Sequence, residues 1–226
     1  MLAIAIIVCA FLLQKDARRV GISAEVIADL VFWSVLSGII GSRIFFILLN
    51  LQFFAENPKE VIMLQNGGLA WQGGLILGTA ATLFFIKLKS LNPAKIADLV
   101  APYLALGQAI GRLGCFLNGC CYGKAVSWGL FFPVHGAHLH PVQLYTSFDL
   151  LIIFFILKKY QRLERNSGET FVLYLILASL ERFCMEFLRA DHVQVWLGLS
   201  IFQIVSITIF AAATYVILLI RSRRKK

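Results

Sequence analysis

Seven apolar stretches, most of them long enough to cross a bilayer, constrain this chain more than any other feature. A membrane-spanning helix needs about 20 predominantly apolar residues, within a range of about 17–25. The stretches are 1–13, 26–49, 69–88, 96–113, 142–157, 170–188 and 195–220. The first is short for a full span, and the last is long enough to tilt. The hydrophobic share of the 226 residues is 59%, against about 45–50% for a soluble domain. Mean hydropathy is +0.81. The expectation is an all-α, polytopic integral membrane bundle of about seven transmembrane helices. It forms one domain over 1–226, with a small outer-face insertion at about 114–141. The start reads as a span and not as a cleavable leader, because no basic flank precedes it and no Ala-x-Ala site follows it.

The formal net charge of +9 suggests a nucleic-acid partner, but the distribution argues against one. Basic residues fall at the ends of apolar segments, as topology determinants do, and not along one stripe. One set of connections gathers Lys15, Arg18 and Arg19; Lys87, Lys89 and Lys95; Lys158, Lys159, Arg162 and Arg165; and the basic tail from Arg221. The opposite set holds Lys59, Lys124 and Arg189. By the positive-inside rule the N-terminus is expected outside and the C-terminus in the cytoplasm. That sorting places Cys115, Cys120, Cys121 and all four histidines, His135, His138, His140 and His192, on the outer side. The Gly-rich turns Asn66-Gly67-Gly68 and Gln72-Gly73-Gly74 fall there too. Chemistry is therefore expected at the outer leaflet.

Intramembrane charges are the first candidates for that chemistry, since each costs about 2.5–3.5 kcal/mol to insert. They are Arg43, Arg112, and the set Arg182, Glu186 and Arg189, spaced to share one helix face. A structural ion pair between Arg182 and Glu186 is one reading. An anion site built on Arg112 and Arg182 is the other, because the guanidinium fork suits phosphate better than an ammonium does. Glycines recur at 67, 68, 73 and 74 and again at 107, 111, 114, 119 and 123. Close helix packing accounts for Gly107 and Gly111; the later glycines suggest irregular backbone lining a polar cavity. In His140-Pro141-Val142-Gln143-Leu144-Tyr145, Pro141 fits a first helical position, with His140 as cap and Gln143 in the first turn.

These motifs resemble the prolipoprotein diacylglyceryl transferase family. The matching blocks run in order: Gly41-Ser42-Arg43; 67–74; Gly111-Arg112-Leu113-Gly114 with Phe116, Asn118 and Gly119; His140-Pro141 with Gln143, Leu144 and Tyr145; Arg182-Phe183 with Glu186, Phe187 and Arg189; and the helix of Gln203. The resemblance implies transfer of the diacylglyceryl group of phosphatidylglycerol, or a similar anionic phospholipid, to the lipobox cysteine thiol of a preprolipoprotein. The product is a thioether and glycerol-1-phosphate leaves. It implies a multi-pass protein of the inner (cytoplasmic) membrane, with membrane lipids and a lipobox peptide as partners, no nucleic acid, and no cofactor or metal. Arg112, Arg182, His140 and Gln72 become the catalytic candidates. Arg112, Arg43, Arg189, Asn118, Gly114, Gln143 and Tyr145 become candidates for holding phospholipid.

Three positions depart from the family pattern. Gln72 stands where the family has histidine, Cys115 where it has asparagine, and Cys120 where it has glutamate. Glutamine cannot take a proton at working pH, so a base is expected from His140 first and Glu186 second. Cys115, Cys120 and Cys121, like Glu186, are candidates for a structural or redox role. A disulfide from Cys115, plain packing, a metal shell shared with His135, His138 or His140, and a thiol that carries a lipid are all readings of that cluster. The alternative function is accordingly a membrane thiol-redox or metal-dependent enzyme on the same scaffold.

Overall fold

The computed structural model describes residues 1–63, 67–163, 166–190, 194–196 and 198–224, so Asn66, Arg165 and His192 lie outside the described residues. The chain is mostly helical. Its elements are α1 (Leu2–Arg19), α2 (Ala24–Leu49), α3 (Leu51–Glu56), a 3-10 turn (Pro58–Val61), α4 (Trp71–Leu88), α5 (Pro93–Leu117), β1 (Ala125–Phe132), β2 (Ala137–Leu139), α6 (Val142–Gln161), α7 (Glu169–Glu186), β3 (Gln194–Trp196), β4 (Leu199–Ser200) and α8 (Ile201–Arg224). They fall into two compact units: Gln14–Pro93, and Met1–Leu13 with Ala94–Lys226.

Among the described residues, four helices are long and apolar enough to cross a membrane: Ala24–Leu49, Trp71–Leu88, Pro93–Leu117 and Ile201–Ser222. Helices α1, α6 and α7 carry more charge along their length. Large apolar side chains such as Phe84, Phe148 and Phe155 face outward. A soluble monomer rarely exposes apolar patches beyond a few hundred Å², and lipid is the solvent that suits these faces.

In the unit Gln14–Pro93, α2 crosses α4 on glycine. A Cβ on Gly41 would lie 2.5 Å from the Gly73 carbonyl oxygen. Two turns along, the hydroxyls of Ser34 and Thr82 meet across the crossing at 2.6 Å. Such small-residue seams let backbones approach where no hydrophobic force drives helices together. Gly73 and Gly74 are thus packing glycines. Gly111, expected to pack, has open space around its α-carbon, and Gly107 meets only the Cys9 sulfur at 3.5 Å.

In the other unit α5 presents Ala101, Ala105 and Ala109 to a core with Leu150, Ile153, Leu157 and Tyr174. These small side chains let α6 close in, and the Ser147 hydroxyl donates to the Ala109 carbonyl at 2.9 Å. The start of α7 is capped from a neighbouring helix. The Asp98 carboxylate accepts from the N–H groups of Gly168 (2.6 Å) and Phe171 (2.9 Å). A carboxylate at a helix N-terminus satisfies orphan donors and meets the positive end of the dipole.

The all-α expectation needs one correction. Residues 125–139 form the antiparallel hairpin β1–β2, and β3 pairs with β4 just before α8. Apolar character continues through 195–200, but Gly198 (φ +76°) turns the chain there, so α8 begins only at Ile201. At the other end, α1 runs past its apolar stretch to Arg19, because Gln14 to Arg19 are mostly sound helix formers. Replacing Asp98 by alanine should lower thermal stability in detergent by about 1–2 kcal/mol. An unchanged melting curve would show that the cap contributes nothing.

Candidate active site

One buried carboxylate organises the region where the chemistry is expected. Glu186, the last residue of α7, is only 1% exposed. The Arg182 guanidinium lies 2.7 Å from its Oε2, and the Arg189 Nε is 3.8 Å from the same oxygen. The Ser200 hydroxyl donates to Oε1 at 3.0 Å. A buried charge persists only when paired and hydrogen-bonded, and here the partners come from three segments. Arg189 is not on the helix itself. Past Glu186 the chain tightens, with Leu188 N–H donating to the Met185 carbonyl and Arg189 N–H to the Glu186 carbonyl. The turn still brings Arg189 back to the carboxylate.

Ser200 belongs to the entry of α8. Its backbone N–H donates to Gln203 Oε1 at 3.0 Å, and its hydroxyl accepts from Gln203 N–H at 3.2 Å. That is a reciprocal capping box. Phe202 then sets its ring under Arg182, centroid to guanidinium 4.8 Å. Arg182 is therefore both ion-paired and stacked, a geometry lysine could not reproduce. Neither Ser200 nor Phe202 stood out in the sequence. A Ser-x-x-Gln pattern ahead of an apolar run was the available signal for the cap.

Arg112, on α5, is different. Among the described residues its side chain makes no hydrogen bond and no ion pair within 4 Å. It lies within electrostatic reach of Glu181 and Arg182. Glu181, also on α7, leaves its Oε1 buried without a hydrogen-bond partner. A half-buried guanidinium keeps five donors in a fixed fork, and here they remain available.

Residues 122–124 tie this region together as a short extended strand. Gly123 N–H donates to the His140 carbonyl and His140 N–H to the Lys124 carbonyl, at 2.9 and 3.1 Å. On its other edge Lys124 N–H donates to the Leu188 carbonyl and Ala190 N–H to the Tyr122 carbonyl, at 2.9 and 3.2 Å. A Cβ on Gly123 would meet the His140 Cβ at 2.5 Å and the Leu188 oxygen at 2.7 Å, so only glycine fits. The exits of α5 and α7 and the entry of α6 are locked to one another.

His140 is held against the Trp128 ring, centroids 4.7 Å apart, with Tyr145 at 6.1 Å. Its Nδ1 is buried without a hydrogen-bond partner. Pro141 caps α6 and Val142 opens it, one residue later than the proline-first reading. Gln143 is 1% exposed and donates to the Cys120 carbonyl at 2.6 Å. Asn118 is exposed at the exit of α5. A Cβ on Gly114 would meet the Met1 side chain at 2.8 Å.

Two expected site residues belong to the Gln14–Pro93 unit. Gln72 is exposed in the first turn of α4. Arg43 is buried, and its five N–H groups are all taken by the chain. They donate to the carbonyls of Val61 (3.0 Å), Gly67 (2.7 Å), Gly68 (3.0 Å), Met63 (3.3 Å) and Glu60. Phe54 stacks at 5.3 Å. Arg43 holds residues 60–63 together with Gly67 and Gly68, and its fork is spent on their carbonyls instead of on a phospholipid. Gly68 (φ +81°) has the Phe46 ring where a side chain would go.

The cysteines are five free thiols. The sulfurs of Cys115, Cys120 and Cys121 lie within 4.8 Å of one another, and no histidine joins them among the described residues. His135 instead contacts the Gly119 carbonyl at 2.8 Å, and His138 the Gly129 carbonyl at 3.0 Å.

Glu186→Ala should cost about 3–5 kcal/mol, because it removes the buried carboxylate that pairs with Arg182 at 2.7 Å. Thermal unfolding in detergent measures this; a loss under about 1 kcal/mol would mean the pair is an ordinary exposed bridge.

A family model described as prolipoprotein diacylglyceryl transferase matches residues 1–219. Phosphatidylglycerol–prolipoprotein diacylglyceryl transferases of Staphylococcus aureus strains Newman and USA300 are each 36% identical over 219 residues, covering 92% of this chain and 78% of theirs. The enzyme of strain JH9 gives the same identity and coverage. The chain belongs to the prolipoprotein diacylglyceryl transferase family.

Proposed function

We propose that this chain transfers the diacylglyceryl group of phosphatidylglycerol, or a similar anionic phospholipid, to the cysteine thiol of a lipobox peptide in a preprolipoprotein. The observation that carries the reading is Arg112: a guanidinium with no hydrogen bond or ion pair among the described residues, on a helix fixed beside the Arg182–Glu186–Arg189 network. In this reaction the glyceryl carbon–oxygen bond to phosphate breaks, and charge gathers on the departing glycerol-1-phosphate. Fixed donors aimed at developing charge are the most effective help a protein gives. Arg112 meets the phosphate first. Arg182, already positioned by Glu186 and Phe202, adds a second cation. Arg189 and Arg43 act as supports, one for the carboxylate and one for the carbonyls of Gly67 and Gly68. Asn118, Gln143, Gly114 and Tyr145 shape the lipid site.

The acceptor thiol must become a thiolate to attack. His140, with its unpartnered Nδ1, is the group proposed to take that proton. Lipid chains lie along the apolar surface of α7 and α8, where Ser179, Leu180, Phe183, Ser206, Ile207 and Phe210 line a cleft of about 130 Å³. We place the protein in the cytoplasmic membrane with α1, α2 and α4–α8 spanning. The N-terminus is outside, the C-terminus inside, and the site opens to the outer leaflet. Basic residues closing α1, α4 and α6 support this orientation.

Arg112→Ala should lower kcat for transfer from phosphatidylglycerol by about 10²–10³ with the fold intact, as loss of a transition-state donor does. Arg112→Lys should recover part of it, because a point charge replaces the fork. Full activity in Arg112→Ala would overturn the assignment.

A further inference from the structure

The cysteine cluster is a consequence of how α5 ends. Gly119 (φ +68°) terminates the helix, with Gly119 N–H donating to the Phe116 carbonyl and Cys120 N–H to the Cys115 carbonyl, both at 3.1 Å. That is a Schellman turn, whose geometry sets residue 115 against residue 120. Cys121 then takes φ +61°. A left-handed conformation costs a residue with a Cβ about 1–2 kcal/mol, and here it brings the third sulfur in. The turn is braced from outside by Gln143 on the Cys120 carbonyl and His135 on the Gly119 carbonyl.

All three sulfurs sit within 4.8 Å of one another. Thiolates on one zinc ion, each about 2.3 Å from the metal, stand about 3.8 Å apart. The sulfurs need to draw together by about 1 Å at most. A disulfide would use two of the sulfurs and strand the third. We propose that Cys115, Cys120 and Cys121 bind a zinc ion through three thiolates and leave its fourth position to the acceptor thiol of the transfer reaction.

Three protein ligands with an open position is the pattern of catalytic zinc, whereas structural sites are closed by four. Arg112 lies one turn before Cys115 and within electrostatic reach of it, which offsets the excess negative charge of a three-thiolate zinc. The metal would help His140 free the proton of the acceptor thiol. A free thiol has a pKa of about 8.5, and a thiol on zinc is deprotonated outright. In the step proposed, the acceptor R–SH displaces water from zinc and gives its proton to His140. The sulfur lone pair then attacks the glyceryl carbon. The S–C bond forms as the C–O bond breaks, and that electron pair leaves on glycerol-1-phosphate. The thioether product is neutral and a weak ligand, so it departs and water returns. Nothing is oxidised or reduced. The catalytic half of the proposal rests on the transferase reading; the zinc half does not.

The test uses the full chain in detergent, stripped of metal under reducing conditions and titrated with cobalt(II) as a zinc probe. About one cobalt per chain is expected, with the intense visible bands of a tetrahedral thiolate site. Cys115→Ser, Cys120→Ser and Cys121→Ser should each lose those bands, while Cys184→Ser keeps them. A lipobox peptide with cysteine should shift the bands, and its serine counterpart should not. Metal-stripped protein should transfer about 10²–10⁴ times more slowly and recover with zinc. Absence of a thiolate–cobalt band in reduced wild-type protein would overturn the site altogether. Bands that form while metal-free protein transfers at full rate would overturn the catalytic role alone. A peptide-dependent shift without any transfer would sustain the thiol site and sink the transferase reading.

Discussion

Glu186 is the hinge of the structure around the proposed site. A carboxylate with 1% exposure survives only by recruiting positive charge and donors. Recruiting them draws Arg182 down the face of α7, folds Arg189 back under the helix end, and binds Ser200 at the entry of α8. The consequence reaches further, because the turn carrying Arg189 also pairs with residues 122–124, which pair in turn with His140. One buried charge thus sets the ends of α7 and α8 and the approach of α5 and α6. Arg112 is left out of that bonding and stays available to an anion. Preorganised donors cost nothing to reorient at the moment of reaction.

The Gln14–Pro93 unit shows the same economy. Glu60, Val61, Met63, Gly67 and Gly68 carry carbonyl groups that hydrocarbon would leave unsatisfied, and Arg43 meets them with every donor it has. An intramembrane arginine need not be a ligand site. What separates Arg43 from Arg112 is whether the surrounding backbone has already spent the fork, and the spacing of residues in the chain does not report that.

Hydropathy located the helices because lipid-facing and core-facing positions are both apolar, so the runs are long and unbroken. It misjudged their ends where other forces decide. Gln14 to Arg19 are polar but good helix formers, and 195–200 are apolar but turned by Gly198. The two hairpins escaped notice because short strands carry little periodicity. The roles of the glycines were partly exchanged, since Gly73 and Gly111 look alike until a partner helix is present. The charged residues of the site were legible as intramembrane ionisable groups. Ser200, Phe202 and Glu181 were not, because their importance comes from what they touch. The cysteine triad was visible as a cluster, but the convergence of its sulfurs depends on the turn at Gly119 and the left-handed backbone of Cys121.

The central claim is that this member of the family still delivers a lipid to a thiol despite Gln72, Cys115 and Cys120. The direct measurement is mass spectrometry of a lipobox peptide incubated with the purified protein and phosphatidylglycerol, followed by hydroxylamine treatment. The account predicts a diacylglyceryl adduct on the cysteine peptide whose sulfur linkage survives the treatment, and none on the serine peptide. A correctly folded protein that leaves the peptide unmodified, or that adds only a hydroxylamine-labile acyl group, would contradict it.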